Sequence, residues 1–172
     1  MNASILLIPF FFIRFFLLNQ SGKNVSQRAA HFAPLHGNER IAYFIYQLTT
    51  LALIVVPFLL TIEVHGVVSV LGWILYALSL IILYFAIVHF AKPGDGGINT
   101  NGIYQYSRNP MYGAYFIFFL SCAILTQSWV YLGILVLFQI ATHWIILAEE
   151  RWCQATFEDA YTVYASKVRR YL

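Results

Sequence analysis

Residues Gly66–Ala91 run for 26 positions without an Asp, Glu, Lys or Arg. About 20 mostly apolar residues are enough to cross the hydrocarbon of a bilayer as a helix. In lipid a helix satisfies its own backbone, whereas an open strand or a loop does not. The run therefore points to an all-helical membrane fold unless the rest of the chain can bury it. The composition argues against burial: 60% of the 172 residues are hydrophobic and 10% are charged, where a soluble domain has about a quarter charged. A chain this short would leave much of that apolar surface in water.

The same pattern recurs along the chain. Ile41–Ile62 is a second run of spanning length. Tyr112–Gln127 is shorter, and Trp129–Ala148 follows it almost at once, so the two read as a helical hairpin turning near Gln127-Ser128. Ala3–Leu18 is apolar apart from Arg14 and has neither a basic leading segment nor a small-x-small cleavage site. It reads as a retained helix and not as a signal peptide. The expectation is one all-α integral membrane domain, 1–172, with five transmembrane helices. Residues 1–91 supply N-terminal spans and 92–172 the functional half. Pro57 and Gly133 are tolerable inside such helices.

The basic residues set an orientation. With the N-terminus outside, Lys23, Arg28, Arg40, Lys92, Arg108, Arg151, Lys167, Arg169 and Arg170 all collect on one face, and the other face has none. Loop 92–111 and the C-terminal tail are then cytoplasmic. Beyond Ala148, Cys153, Phe157, Tyr161, Tyr164 and Val168 recur every three or four residues among charges. That period describes a C-terminal amphipathic helix at the cytoplasmic interface. Cys122 and Cys153 make no disulfide framework, and no Lys/Arg-rich block suggests nucleic acid.

Three polar clusters lie on the cytoplasmic side. Lys92–Asn99 contains Gly94, Gly96 and Gly97, which permit close backbone approach to a ligand. The plain reading is a flexible turn after a span. In Gly102–Tyr112, Pro110 suits the first turn of the fourth span and Asn109 is placed to cap it. A helix N-terminus is an anion site. Against that, Tyr and Arg are also ordinary interface anchors. Glu149-Glu150 places two carboxylates beside the bilayer, where charge is costly and tends to be functional. They diverge by about 100° on a helix, and the plain alternative is a helix end paired with Arg108 or Arg151. The hairpin brings the second and third clusters together. N–H donors, an arginine, aromatic rings and acids at one place suit a zwitterion that also carries a nucleobase.

These blocks resemble a known family. Gly102-x-Tyr104-x-x-x-Arg108-Asn109-Pro110-x-Tyr112 is similar to the Gly-x-Tyr…Arg-His-Pro-x-Tyr motif of the isoprenylcysteine carboxyl methyltransferase and phospholipid methyltransferase superfamily. Glu149-Glu150, Phe157, Tyr161, Tyr164, Val168 and Arg170 follow the order of that family's second motif. The resemblance covers about residues 89–170. It implies an integral membrane methyltransferase using S-adenosylmethionine. It places His89, Gly96, Gly97, Ile98 and Asn99 along the cofactor. Tyr104, Asn109, Pro110, Met111 and Tyr112 would hold the adenosyl and methionyl parts, and Glu149 with Glu150 would close the pocket. Arg108 and Glu150 are the catalytic candidates.

Four departures stand out. Asn109 replaces the family histidine and cannot titrate as it does. Glu158 replaces a glycine, and Arg169 a proline. Ile145 stands where prenylcysteine enzymes carry an acceptor-facing arginine. The expected reaction is methyl transfer to an amphiphilic acceptor from the bilayer: a lipid amine, a lipid-linked carboxylate or a thiol. The alternative is a non-enzymatic membrane subunit or a degenerate family member.

Overall fold

Every long apolar run becomes a helix, and the breakers between runs decide where each one stops. The computed structural model describes residues 1–94 and 97–171. Helix α1 spans Ala3–Gln20, α2 Lys23–Ala30, α3 Glu39–Leu59, α4 Gly66–Phe90, α5 Pro110–Thr126 and α6 Trp129–Lys167. Among the described residues there is no strand, only isolated bridges of Asn2 with Thr61 and of Ser107 with Arg169. Helices α1, α3, α4 and α6 are long and apolar enough to cross a membrane. Helix α5 is equally apolar but has 17 residues, about 26 Å at a rise of about 1.5 Å per residue. Four such helices describe an integral membrane protein.

Pro57 shortens α3 relative to the expected Ile41–Ile62. It has no N–H to give, and the chain tightens into a 3-10 turn over Val56–Leu59. The carbonyl four residues back, on Leu53, is taken instead by the buried Tyr131 hydroxyl of α6 at 2.8 Å. Such substitution of a lost backbone donor is what a proline inside lipid requires. The α5–α6 turn falls where the hydropathy break puts it. Gln127 adopts a left-handed conformation and Ser128 Oγ accepts from Tyr131 N at 3.2 Å. Helix α6 then runs far past Ala148. The more polar stretch continues the same helix as far as Glu158, whose φ of 48° and ψ of −124° break it.

Packing follows the small residues. A Cβ on Gly72 of α4 would lie 2.9 Å from the Leu125 side chain of α5, so only glycine allows that approach. Ile41, Phe44, Leu48, Leu51 and Val55 form an exposed stripe on α3. Val67, Leu71, Ile74, Leu78, Ile81 and Phe85 do the same on α4. Exposed apolar stripes at helical period are faces made for lipid. Several hydroxyls within the helices are satisfied locally: Thr50 on Tyr46 O, Ser121 on Phe118 O and Thr126 on Cys122 O. In α1 the turn Phe12–Phe16 widens to a π-helix with Arg14 at its centre.

One end of the bundle gathers residues 1–2, 60–65 and 125–128. The other gathers 21–38, 91–94, 97–109 and 149–171. All three polar clusters lie at this second end.

Candidate functional site

The link from α4 to α5 is shaped by its glycines. Gly94 N donates to Ile98 O at 3.0 Å and Gly97 N to Gly94 O at 3.1 Å. Gly97 has a φ of 85°, which a side chain rarely tolerates. Gly102 also has positive φ and opens a 3-10 turn, Gly102–Gln105. A Cβ there would collide with the His89 ring. Tyr104 follows, buried, its carbonyl accepting from Tyr164 Oη at 2.7 Å. Burial pushes its phenol well above the usual range, so it stays neutral.

Residues 107–109 pair with the C-terminal tail. Arg108 N donates to Arg169 O at 2.9 Å, and Asn109 Nδ2 donates to Arg170 O at 3.2 Å. Glu150 locks this pairing from α6. One carboxylate oxygen accepts from Arg108 Nε at 3.0 Å and lies 2.8 Å from its Nη2; the other accepts from Arg170 Nε at 2.8 Å and lies 2.8 Å from its Nη2. Arg108 also donates to Ala165 O at 2.7 Å. The Glu150 carboxylate raises the Arg170 guanidinium pKa further. Glu150 therefore has both oxygens occupied by two cations.

Glu149 is in the opposite state. The 100° step of the helix turns it toward α5, where it accepts from Tyr112 Oη at 2.7 Å. No cation pairs with it among the described residues. Glu149 and Tyr112 line a half-open cavity of about 640 Å³ walled by α1, α2, Tyr46 of α3, the end of α4, the start of α5 and the end of α6. The first turn of α5 reaches the cavity through Pro110, Met111 and Tyr112 and has no side-chain cap. Asn109 occupies the cap position, but its amide is directed to the tail, which differs from the expected capping role. Asn99, with its amide oriented to satisfy both neighbours, donates to Phe90 O and accepts from Arg28 Nη2, each at 3.2 Å. The Arg28 guanidinium also lies 4.8 Å from the Phe90 ring centroid.

The expected site residues fall into three groups. Gly97, Ile98, Asn99, Tyr104, Arg108, Asn109, Pro110, Met111, Tyr112, Glu149 and Glu150 all line this one cavity. His89 does not: its ring sits under Gly102, with Nδ1 buried and unpartnered. Gly96 lies outside the described residues. Ile145, at the acceptor-arginine position, is 1% exposed in the core and is not part of the cavity wall.

The sequence reading missed wall residues from the N-terminal half. Arg14, Arg28, Phe32 and Tyr46 all line the cavity, as does Tyr115 of α5. Arg14 carried a signal, a lone charge within an apolar run. Arg28 carried none, because nothing local tells that α2 folds back over the link.

No curated protein matches the sequence closely enough to count as a relative. The profile of one family, described as phospholipid methyltransferase, matches residues 47–160, well over half of the chain.

Proposed function

The chain belongs to the phospholipid methyltransferase family, and from that premise we propose that its cavity binds S-adenosylmethionine beside an amphiphilic acceptor drawn from the bilayer. The observation that carries this reading is Glu149, a carboxylate held at one oxygen by Tyr112 Oη at 2.7 Å, facing a cavity and paired with no cation among the described residues. Charge placed so deep and left unpaired is costly, and marks a site.

The residues fit the cofactor. The uncapped start of α5, Asn99 and Arg28 offer donors to a carboxylate. Phe90, Trp152 and Phe157 offer flat apolar walls to a nucleobase. Glu149 offers an acceptor to an ammonium group or ribose hydroxyls. When bound, S-adenosylmethionine supplies a methyl group that its sulfonium has already made electrophilic. The protein's tasks are to align the acceptor, exclude water and remove a proton where the acceptor is an amine. The Glu149 oxygen not held by Tyr112 is the proton acceptor in this reading. Glu150, neutralised by Arg108 and Arg170, is assigned to holding the tail in place of the catalytic role expected for it. Arg108 shares that role. An amine acceptor suits Glu149 better than a carboxylate, which it would repel.

In this reading α5 is a fifth span and the tail is cytoplasmic, since the basic residues gather at the end of the bundle that carries the site. A thiol introduced as Ser166→Cys, in a background without Cys153, should be protected from an impermeant reagent in sealed cells; labelling from outside would reverse the orientation.

The reading is tested with purified protein in detergent. Calorimetric titration should show saturable binding of S-adenosylmethionine, and incubation of lipid extract with methyl-labelled cofactor should yield a labelled lipid. No binding at millimolar cofactor and no labelled lipid would favour a non-enzymatic membrane subunit.

A further inference from the structure

Arg14 is the one charge within α1, and nothing in the mechanism above uses it. It stands at the centre of the π-helical turn Phe12–Phe16, the kind of widened turn that recurs at functional sites. Its guanidinium lies 5.5 Å from the Tyr115 ring centroid. Arg14 Nη1 and Tyr115 Oη are both buried, both without a hydrogen-bond partner, and both residues line the cavity. Arg14 makes no ion pair among the described residues. A guanidinium held in a span without a counter-charge is unfavourable unless a ligand supplies one.

We propose that Arg14, with Tyr115 Oη, holds the phosphodiester of the lipid acceptor; this rests on the methyltransferase reading above. The depth of the pair selects a lipid anion over the carboxylate of a water-soluble cofactor. Asn109, tied to the tail through the Arg170 carbonyl, marks the polar end. Tyr112 and Glu149 lie deeper, and Tyr115 with Arg14 lie about one helical turn deeper again, at three residues along α5. A cofactor entering from the polar end meets Asn99, Arg28 and the start of α5 first. An anion reaching Arg14 comes with apolar chains that can lie along the lipid-exposed faces of α1. An amine a short arm away from that phosphodiester is directed up the cavity toward Glu149. The cation that the resemblance places at position 145 is absent, since Ile145 is buried in the core. Arg14 supplies a cation from a different helix.

The test reads lipid binding without methyl transfer. Trp152 lines the cavity, so its fluorescence can follow titration of the detergent-purified chain with dihexanoyl phosphatidylethanolamine, with uncharged dihexanoylglycerol and with inorganic phosphate. Arg14→Gln should weaken phosphatidylethanolamine binding at least about tenfold, the scale of a lost charged hydrogen bond. It should leave dihexanoylglycerol and S-adenosylhomocysteine binding unchanged. Arg14→Lys should fall between the two and keeps the test open if Arg14→Gln does not fold. Equal phosphatidylethanolamine affinity in all three proteins overturns the proposal. So does weakened S-adenosylhomocysteine binding with lipid binding intact, which would assign Arg14 to the cofactor. Inorganic phosphate binding as tightly as the phospholipid would show a free-anion site and overturn the lipid assignment. A protein that binds phospholipid through Arg14 yet transfers no methyl group would leave this inference standing and sink the proposed reaction.

Discussion

The two ends of the helical bundle are closed by different chemistry. At the end formed by residues 1–2, 60–65 and 125–128 the ties are mostly main-chain, with Asn2 Nδ2 on Phe58 O and Ser69 Oγ on Glu63 O added by neutral side chains. Ala3 N meets Leu60 O at 2.9 Å, Ile62 N meets Met1 O at 2.8 Å and Glu63 N meets Leu125 O at 2.8 Å. The turns are short and no Lys or Arg takes part. At the other end ion pairs between side chains reinforce one main-chain tie, Arg108 N to Arg169 O at 2.9 Å. Glu150 bridges Arg108 and Arg170, and Glu39 bridges to Arg151 at 2.5 Å and 2.8 Å. The first end only needs to satisfy backbone in little space. The second must hold a cavity open. Ion pairs can hold segments apart as well as together, and they leave Glu149 and Arg14 unmatched in the wall between them. Closure by backbone makes a cap, and closure by charge makes a site.

The sharpest way to break that contrast is Glu150→Ala. It leaves Arg108 and Arg170, with Arg108 side chain 11% exposed, facing each other without a counter-ion. Breaking such a pair should cost about 3 kcal/mol, read as a lower unfolding temperature in detergent and as faster proteolysis of the tail beyond Glu158. An unchanged melting curve would show that the tail is not held by charge.

Glu149→Ala should behave differently. It removes a half-buried carboxylate that pairs with no cation among the described residues, so the fold should hold. Binding of S-adenosylmethionine should weaken by about 1.5–3 kcal/mol, the range for a charged hydrogen bond. Calorimetry showing wild-type affinity would move the cofactor away from Glu149.

Among the described residues each end also contains one non-glycine residue with positive φ, and these sharpen the comparison. Gln127 has φ 47° and ψ 33°, the ordinary left-handed cap. Glu158 has φ 48° and ψ −124°, a combination that favours glycine, which is also what the family motif places there. Glu158→Gly should therefore stabilise the protein by about 1–2 kcal/mol. Gln127→Gly should gain only about 0.5 kcal/mol, being offset by the flexibility it adds to the unfolded chain. Thermal unfolding of both variants tests the ranking, and equal shifts would remove the claimed strain at Glu158.

The smallest effect on binding is expected at Asn109. Its side chain meets the Arg170 carbonyl at 3.2 Å and caps nothing. Asn109→His, which can still donate, should retain cofactor affinity. Asn109→Leu should loosen the tail by about 1 kcal/mol. An Asn109→Leu protein whose tail resists proteolysis like wild type would show that this hydrogen bond is incidental.

Much of this architecture is local and therefore readable. A helix in lipid satisfies its own backbone, so apolar run lengths, Pro57 and the Gln127-Ser128 break set the helices without reference to partners. The three polar clusters are likewise visible as interruptions. The ends of elements are less so. Helix α6 runs through the expected boundary at Ala148 because nothing there breaks it, and α2 has too few apolar residues to announce itself.

The tertiary structure decided the rest. Adjacent residues on a helix diverge by a fixed angle, but the phase of the helix is set by packing. Only the fold shows that Glu149 turns to Tyr112 and the cavity while Glu150 turns to the tail. Only the fold brings Arg14 and Arg28 to a wall shared with residues 97–112 and 149–164, because the separation along the chain carries no information about which helices close on each other. A helical membrane chain with a polar end that can bind is legible from the residues alone. Which charges at that end neutralise each other, and which stay free to meet a ligand, depends on long-range packing.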